Sequence, residues 1–300
     1  MRVIVHGGAG GEPDEPEPRQ AVLDDAAAAG AGRESVVDAV EAAVRVLESS
    51  PRFNAGVGGA VQSDGEVRTD AGVMTSDREA GATCSMPGVE HAVSAARVVM
   101  EETPHVLVSG EHAVDLAADF GVETGVDLLS EDKRERWGDL DAPTGTPTEH
   151  LDWLREKFGG SAAQSAADES SGDAPRDHDT VGAVAYDGEA FAAATSTGGR
   201  WLALAGRVGD VPQIGSGFYA APAGAASATG AGEDIAKTTL TRRAVRHLES
   251  GMAAQAAADR AVEEFAELTG SSAGVIVLDR DGGAGAAFNS DAMQTAVADD

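Results

Sequence analysis

The stretch HDTVGAVAYDGEAFAAATSTGG, residues 178–199, sets a threonine at the head of a run of small apolar residues. TVGAVAYD and AFAAATST read as two strands joined by a turn, and the second ends at Thr197, just before two glycines. Upstream, GGSAAQSAADESSGDAPRDHD over 159–179 is small and polar and lacks apolar periodicity, which is the composition of a linker. A threonine hydroxyl is a weak nucleophile that needs a base. Inside a chain the base must be a neighbouring side chain. At a chain terminus the residue's own α-amine, with a pKa of about 7.7–8.0, can serve. A linker ahead of Thr180 would let the preceding residues swing away once the 179–180 bond is cut. Threonine also begins ordinary strands, because β-branched residues suit them. The segment alone leaves both readings open.

Working outward, RVIV at 2–5 reads as a short buried strand that ends in a glycine loop, HGGAGG. EPDEPEP at 12–18 reads as a solvated loop. In SVVDAVEAAVRVLESS the residues Val36, Val37, Val40, Val44 and Leu47 recur at helical spacing and build one apolar stripe. EVRTDAGVMT and AGATCSM read as neighbouring strands. HAVSAARVVMEE reads as a helix, HVLVSG as a strand and EHAVDLAADF as a helix. After Thr197 come two long alanine-rich helices, EDIAKTTLTRRAVRHLES and AAQAAADRAVEEFAELT, and then two strands, AGVIVLD and GAAFNS. This grouping predicts stacked sheets covered by helices, not a regular βαβ alternation.

The 300 residues, 42% of them hydrophobic, suffice for one large domain. The formal charge of -29 repels phosphate backbones and anionic lipid surfaces, so neither nucleic acid nor membrane is an expected partner. Lys133, Lys157 and Lys237 are the only lysines. Abundant acid with scarce lysine fits a halophilic protein in a salt-rich cytoplasm, where the Debye length of roughly 3 Å at 1 M screens self-repulsion. Most of the acid precedes residue 180 and reads as solvated surface and linker. One cysteine, Cys84, excludes an intrachain disulfide. The amino-terminal stretch lacks a signal-peptide core, and no apolar run reaches membrane-spanning length.

Six segments carry a further signal. HGGAG at 6–10, FNAGVGGAVQSDGEVRTDAGVM at 53–74, HDTVGAVAYD at 178–187, ATSTGG at 194–199, GRVGDVPQIGSGFYA at 206–220 and ATGAGEDI at 228–235 occur in this order. Together they resemble the plant-type asparaginase / isoaspartyl peptidase family of N-terminal-nucleophile hydrolases, across nearly the whole chain.

The resemblance implies an α+β fold, a four-layer αββα sandwich in a single domain over 1–300. It implies a precursor that cuts itself between Asp179 and Thr180, giving an α subunit, 1–179, and a β subunit, 180–300. Two such pairs assemble as (αβ)2. Thr180 corresponds to the nucleophile and Thr197 to the threonine that orients it. Arg207 and Asp210 correspond to the pair that holds the substrate's α-carboxylate and α-ammonium. Thr229 and Gly230 correspond to oxyanion-hole donors, and Gly232 to a backbone contact with the substrate amine. Elementary chemistry agrees with these roles. A cation and an anion three residues apart suit a zwitterion, and an arginine can grip a carboxylate with two parallel bonds. The implied substrates are L-asparagine and β-aspartyl dipeptides.

No cofactor is implied as required. FNAGVGG resembles a loop whose carbonyls hold sodium, with Arg52, Phe53, Ala55, Gly56 and Gly58 as candidate donors. Asn54 is a candidate for positioning the precursor or a water. HGGAG lacks the spacing of a phosphate loop, and His6, like His178, reads as structural or solvated. Two departures stand out. RWLALA occupies 200–205, where the family carries Asn-Lys or similar residues, which leaves the leaving-group preference open. VPQIG replaces a more usual Ser-Pro form. Alternatives remain: a glycosylasparaginase-like enzyme or threonine-type protease, or an uncleaved homologue that keeps the fold as a binding protein.

Overall fold

The structure, a computed structural model, describes residues 1–158 and 180–300. The linker expected over 159–179, with His178 and Asp179, lies outside the described residues.

Eleven strands form two sheets among the described residues. The larger contains β1 (Arg2–Gly10), β2 (Arg68–Thr75), β3 (Ala80–Pro87), β4 (Leu107–Ser109), β5 (Val181–Tyr186), β6 (Phe191–Thr197) and β11 (Ala292–Asp299), in the order β11-β1-β5-β6-β2-β3-β4. All its pairings are antiparallel except β3 with β4. The smaller is an antiparallel sheet of β7 (Phe218–Ala221), β8 (Gly224–Gly230), β9 (Ala273–Asp279) and β10 (Ala284–Phe288), in the order β10-β9-β8-β7. Helices α1 (Pro16–Ala31), α2 (Val36–Glu48), α3 (Ala92–Glu102), α4 (Glu111–Asp119), α5 (Glu131–Gly138) and α6 (Pro147–Phe158) belong to the first half. In the second half are α7 (Gly232–Thr238), α8 (Leu240–Glu249) and α9 (Ala254–Thr269).

The period of two along each strand sorts side chains into separate cores. Val3 and Val5 of β1 pack with Leu23 of α1, Val40 and Leu47 of α2 and Val93 of α3. Ile4, between the two valines, joins Val184, Phe191, Phe218, Ile276 and Leu278 in a cluster drawn from both sheets. On β9 the alternation repeats: Val275 and Val277 pack with Leu240, Val245 and Phe265 of α8 and α9, while Ile276 and Leu278 turn the other way. A fourth cluster gathers Val61, Leu128, Trp201 and Leu202, with Trp137 of α5 and Trp153 of α6 packed against it.

Several boundaries differ from the sequence reading. HGGAG is not a loop but the second half of β1. The strand continues through an irregularity between His6 and Ala9 in its pairing with β11. Arg19 of α1 donates to the Gly7 carbonyl there and lies over the Phe53 ring. The helix expected over 233–250 is two helices, because Thr239 adopts a left-handed φ of 54° between α7 and α8. EPDEPEP is only partly loop, since α1 starts at Pro16, a residue suited to a first helical turn. β7, β8 and β11 were not anticipated.

Close approach of the two sheets depends on small side chains. A Cβ at Gly72 on β2 would overlap the Phe218 ring of the opposite sheet. Gly72→Ala should therefore destabilise the protein by about 1–3 kcal/mol through overpacking. Adding Phe218→Leu should recover part of the loss. Thermal unfolding of the single and double variants checks both, and an undisturbed melting temperature in Gly72→Ala would contradict this packing.

Candidate active site

Thr180 stands immediately before β5 and is 7% exposed. With Thr197 at the end of β6, it lines a cleft whose other walls include Arg200, Arg207, Asp210, Gly230 and Gly232. Thr180 and Thr197 come together because β5 and β6 form a tight hairpin in which Val181 faces Ser196. Thr197 Oγ1 donates to the Asn54 carbonyl (3.4 Å) and accepts the Gly199 N–H (3.2 Å). Asn54 is buried behind this wall. Its Nδ2 donates to the Gly199 carbonyl (2.6 Å), and its own carbonyl accepts the Gly198 N–H (2.8 Å). Thr229 is fully buried on β8, where its Oγ1 accepts the Ala9 N–H (3.3 Å). The bent end of β1 thus touches the strand that leads into the cleft at Gly230.

Beneath Thr180 runs a line of buried polar groups. His6 Nε2 meets Ser227 Oγ (2.8 Å), Ser227 Oγ meets Thr195 Oγ1 (2.7 Å), and Thr195 Oγ1 donates to the Gly217 carbonyl (2.9 Å). The donors settle in one direction. The Thr195 proton goes to the carbonyl, so the Ser227 proton goes to Thr195 and His6 Nε2 carries the ring proton. Burial holds His6 neutral, its pKa lowered to about 3 against an opposing pull from the Thr180 backbone. Its Nδ1 lies on the side of the Thr180 backbone, buried and without a well-formed hydrogen bond. Gly182 leaves the space for this line, since a Cβ there would overlap Ser227 Oγ and come within 2.5 Å of His6 Nε2.

The charged side of the cleft is compact. Arg207 Nε donates to Glu233 Oε1 (2.7 Å), an ion pair on the rim. A Cβ at Gly232 would lie 2.8 Å from both Arg207 Nη2 and Asp210 Oδ1, so this glycine lets the backbone press against both groups. Burial pushes the Asp210 carboxyl up to about 7, against the pull of Arg207. One of its oxygens, Oδ2, is buried without a hydrogen-bond partner. Burial also raises Glu233, but its bond to Arg207 and the charge of Arg207 outweigh this and hold it down at about 2.

A further buried acid, Asp70, was not singled out from sequence. It lies on β2 opposite Thr197 and accepts the Ser85 N–H (2.7 Å). Burial lifts it to about 7, with Arg207 pulling the other way. The only hint was a lone acid inside an apolar strand pattern. Glu233 was missed too, because its use depends on the turn into α7.

In the loop expected to hold sodium, a Cβ at Gly56 would overlap the Glu48 carbonyl of α2, and one at Gly58 the Phe53 carbonyl, while the Ala55 and Gly56 carbonyls accept the Gly58 and Gly59 N–H groups (3.2 and 3.1 Å). The Gly58 carbonyl, however, accepts the Lys133 ammonium (2.6 Å). A full positive charge already sits at that oxygen, which does not fit Gly58 as a sodium ligand. Among the described residues no cluster of three or more His, Cys, Asp or Glu could hold a metal, and no helix is long and apolar enough to cross a membrane.

The chain that carries this cleft is an amide hydrolase, as comparison with known proteins shows. Residues 1–300 match the family described as asparaginase, and the chain belongs to it. It is 39% identical over 306 residues to the plant-type L-asparaginase of Pyrococcus furiosus, covering 99% of this chain and 95% of that one. Identity to the plant-type L-asparaginase of Pyrobaculum calidifontis is 40% over 302 residues, covering 97% and 94%. The isoaspartyl peptidase/L-asparaginase of Macaca fascicularis is 36% identical over 309 residues, covering 99% and 93%.

Two carboxyls raised to about 7 bind more protons in the folded than in the unfolded state between about pH 4 and 7, so stability falls as pH rises through that window. Asp210→Asn removes one of them. The variant should gain on the order of 2 kcal/mol over the unmodified protein at pH 8, and little at pH 4.5. Denaturant unfolding at the two pH values measures this, and equal differences at both would rule out a buried, charged Asp210.

Proposed function

We propose that the protein hydrolyses the side-chain amide of L-asparagine and of β-aspartyl dipeptides, with Thr180 as an amino-terminal nucleophile. The observation that carries the reading is the shared cleft of Thr180 with the Arg207–Asp210 pair. A substrate with its α-carboxylate on Arg207 and its α-ammonium on Asp210 extends its side chain one short methylene toward the threonine. The unpaired Asp210 Oδ2 is a ready acceptor for that ammonium. The names of the relatives support the same substrates.

In this reading the Thr180 amine takes the Oγ proton as Oγ bonds to the amide carbonyl carbon. The oxyanion is held by the Thr229 hydroxyl and the Gly230 N–H; one such donor is typically worth about 2.7–4 kcal/mol. Collapse breaks the C–N bond, and the amine's proton leaves with ammonia or with the departing amino acid. Water then attacks the ester and releases aspartate. Thr197 positions the nucleophile. The free amine arises when Thr180 Oγ attacks the carbonyl of Asp179, shifts the acyl group from nitrogen to oxygen, and the ester is hydrolysed.

The finer fold belongs to the same proposal. The separate cores on both faces of the two sheets support an αββα sandwich, divided by cleavage into 1–179 and 180–300 and paired as (αβ)2. The acid-rich, lysine-poor composition supports a salt-rich cytoplasm. A structural sodium ion held by the carbonyls of Arg52, Phe53, Ala55 and Gly56 remains part of the reading, outside the chemistry.

Thr180→Ala should abolish both chain cleavage and hydrolysis, lowering turnover at least a thousandfold, on the order seen when a catalytic nucleophile is removed. Intact mass and amino-terminal sequencing follow the first effect, and ammonia release from L-asparagine in molar KCl the second. A single uncut 30.3 kDa species from the unmodified protein, without turnover, would favour the binding-protein alternative.

A further inference from the structure

The segment from Gly199 to Arg207 is fastened to residues 61–63 along its length. Leu202 N–H donates to the Val61 carbonyl (2.8 Å), and Ala205 N–H to Ser63 Oγ (3.0 Å). Gly206 N–H donates to Gln62 Oε1 (2.8 Å), and Gln62 Nε2 donates to the Arg207 carbonyl (3.3 Å). The segment opens with a turn closed by Ala203 N–H on the Arg200 carbonyl (3.0 Å), with Leu202 held at a left-handed φ of 55°. Trp201 is buried in the satellite core, and the Arg136 guanidinium of α5 lies 4.3 Å from its ring centroid. One rigid segment therefore carries two arginines, Arg200 and Arg207, into the cleft that holds Thr180.

Charge counting separates the two proposed substrates. L-Asparagine offers one carboxylate and one ammonium, and its leaving group is ammonia. A β-aspartyl dipeptide offers the same pair plus a second carboxylate on the leaving amino acid. Arg207 and Asp210 account for the first two charges. Arg200 is half-buried on the same wall, and its field reaches the rim acid Glu233. A planar guanidinium held there matches a carboxylate better than it matches ammonia or an amide.

We infer that Arg200 recognises the carboxylate of the leaving amino acid, which makes β-aspartyl dipeptides with a free carboxyl terminus the substrate class selected by this cleft. The inference rests on the proposed hydrolase reading, and the tethered 199–207 segment fixes the backbone from which Arg200 reaches the cleft.

The test compares kcat/KM for β-aspartyl-leucine and β-aspartyl-leucinamide in the purified, processed protein and in Arg200→Gln and Arg200→Met. The methionine variant keeps an apolar stem for packing, so at least one folded variant is available. The unmodified protein should prefer the free acid. Each variant should lose about tenfold of that preference, mainly through KM, as befits one charge-assisted hydrogen-bond pair. A purely structural Arg200 would lower both rates together and leave their ratio alone. An unchanged ratio, with L-asparagine still hydrolysed by the unmodified protein, overturns the role of Arg200 and leaves the hydrolase reading standing. No turnover of asparagine or of either dipeptide by the unmodified protein overturns both.

Discussion

The line of hydrogen bonds from His6 through Ser227 and Thr195 to the Gly217 carbonyl is the constraint on which the cleft depends. It crosses between the sheets in a region otherwise filled by apolar side chains. Unpaired, each of these buried groups would cost about 1–3 kcal/mol, so the two sheets are held at the offset that satisfies all of them. That offset sets Thr180, on one sheet, against Gly230 and Gly232, which follow from the other. Gly182 is small because the line passes beneath it. The nucleophile candidate therefore takes its place from groups far away in the chain.

The cleft itself is a costly place to fold. Asp70 and Asp210 are buried acids raised to about 7, and the half-buried Arg207 exerts its charge on both and is paired to Glu233 on the rim. A protein selected only for stability would put apolar residues at such positions. Local instability of this kind is a mark of preorganised binding sites. The protein holds its cation and anion in place before any ligand arrives, so binding does not have to order them.

Much of this was legible in the chain. The runs of small apolar residues in TVGAVAYD and AFAAATST marked both strands, and the family resemblance linked Thr180 to Thr197. The stripe in 35–50 gave α2. The ordered glycine-rich motifs gave the family, and with it the residues that gather around the cleft. What escaped notice has physical reasons. β7 and β8 are short and rich in alanine and glycine, and β11 alternates weakly in AMQTAVAD, so periodicity alone could not mark them. The break at Thr239 is a single left-handed residue inside a good helical pattern. His6 and Ser227 lie 221 residues apart, and nothing local in either segment announces the other.

The order of strands in the larger sheet has a consequence for assembly. A cut ahead of Thr180 would divide the sheet's strands between two polypeptides, with β1 wedged between β11 and β5 and β2 lying against β6. Three ladders would then join the pieces across the break, so they could not drift apart without the sheet being dismantled. Nor could either fragment build that sheet by itself. Any such scission would have to follow folding of the intact polypeptide, and it would leave the halves interleaved as permanently as if they had never been severed.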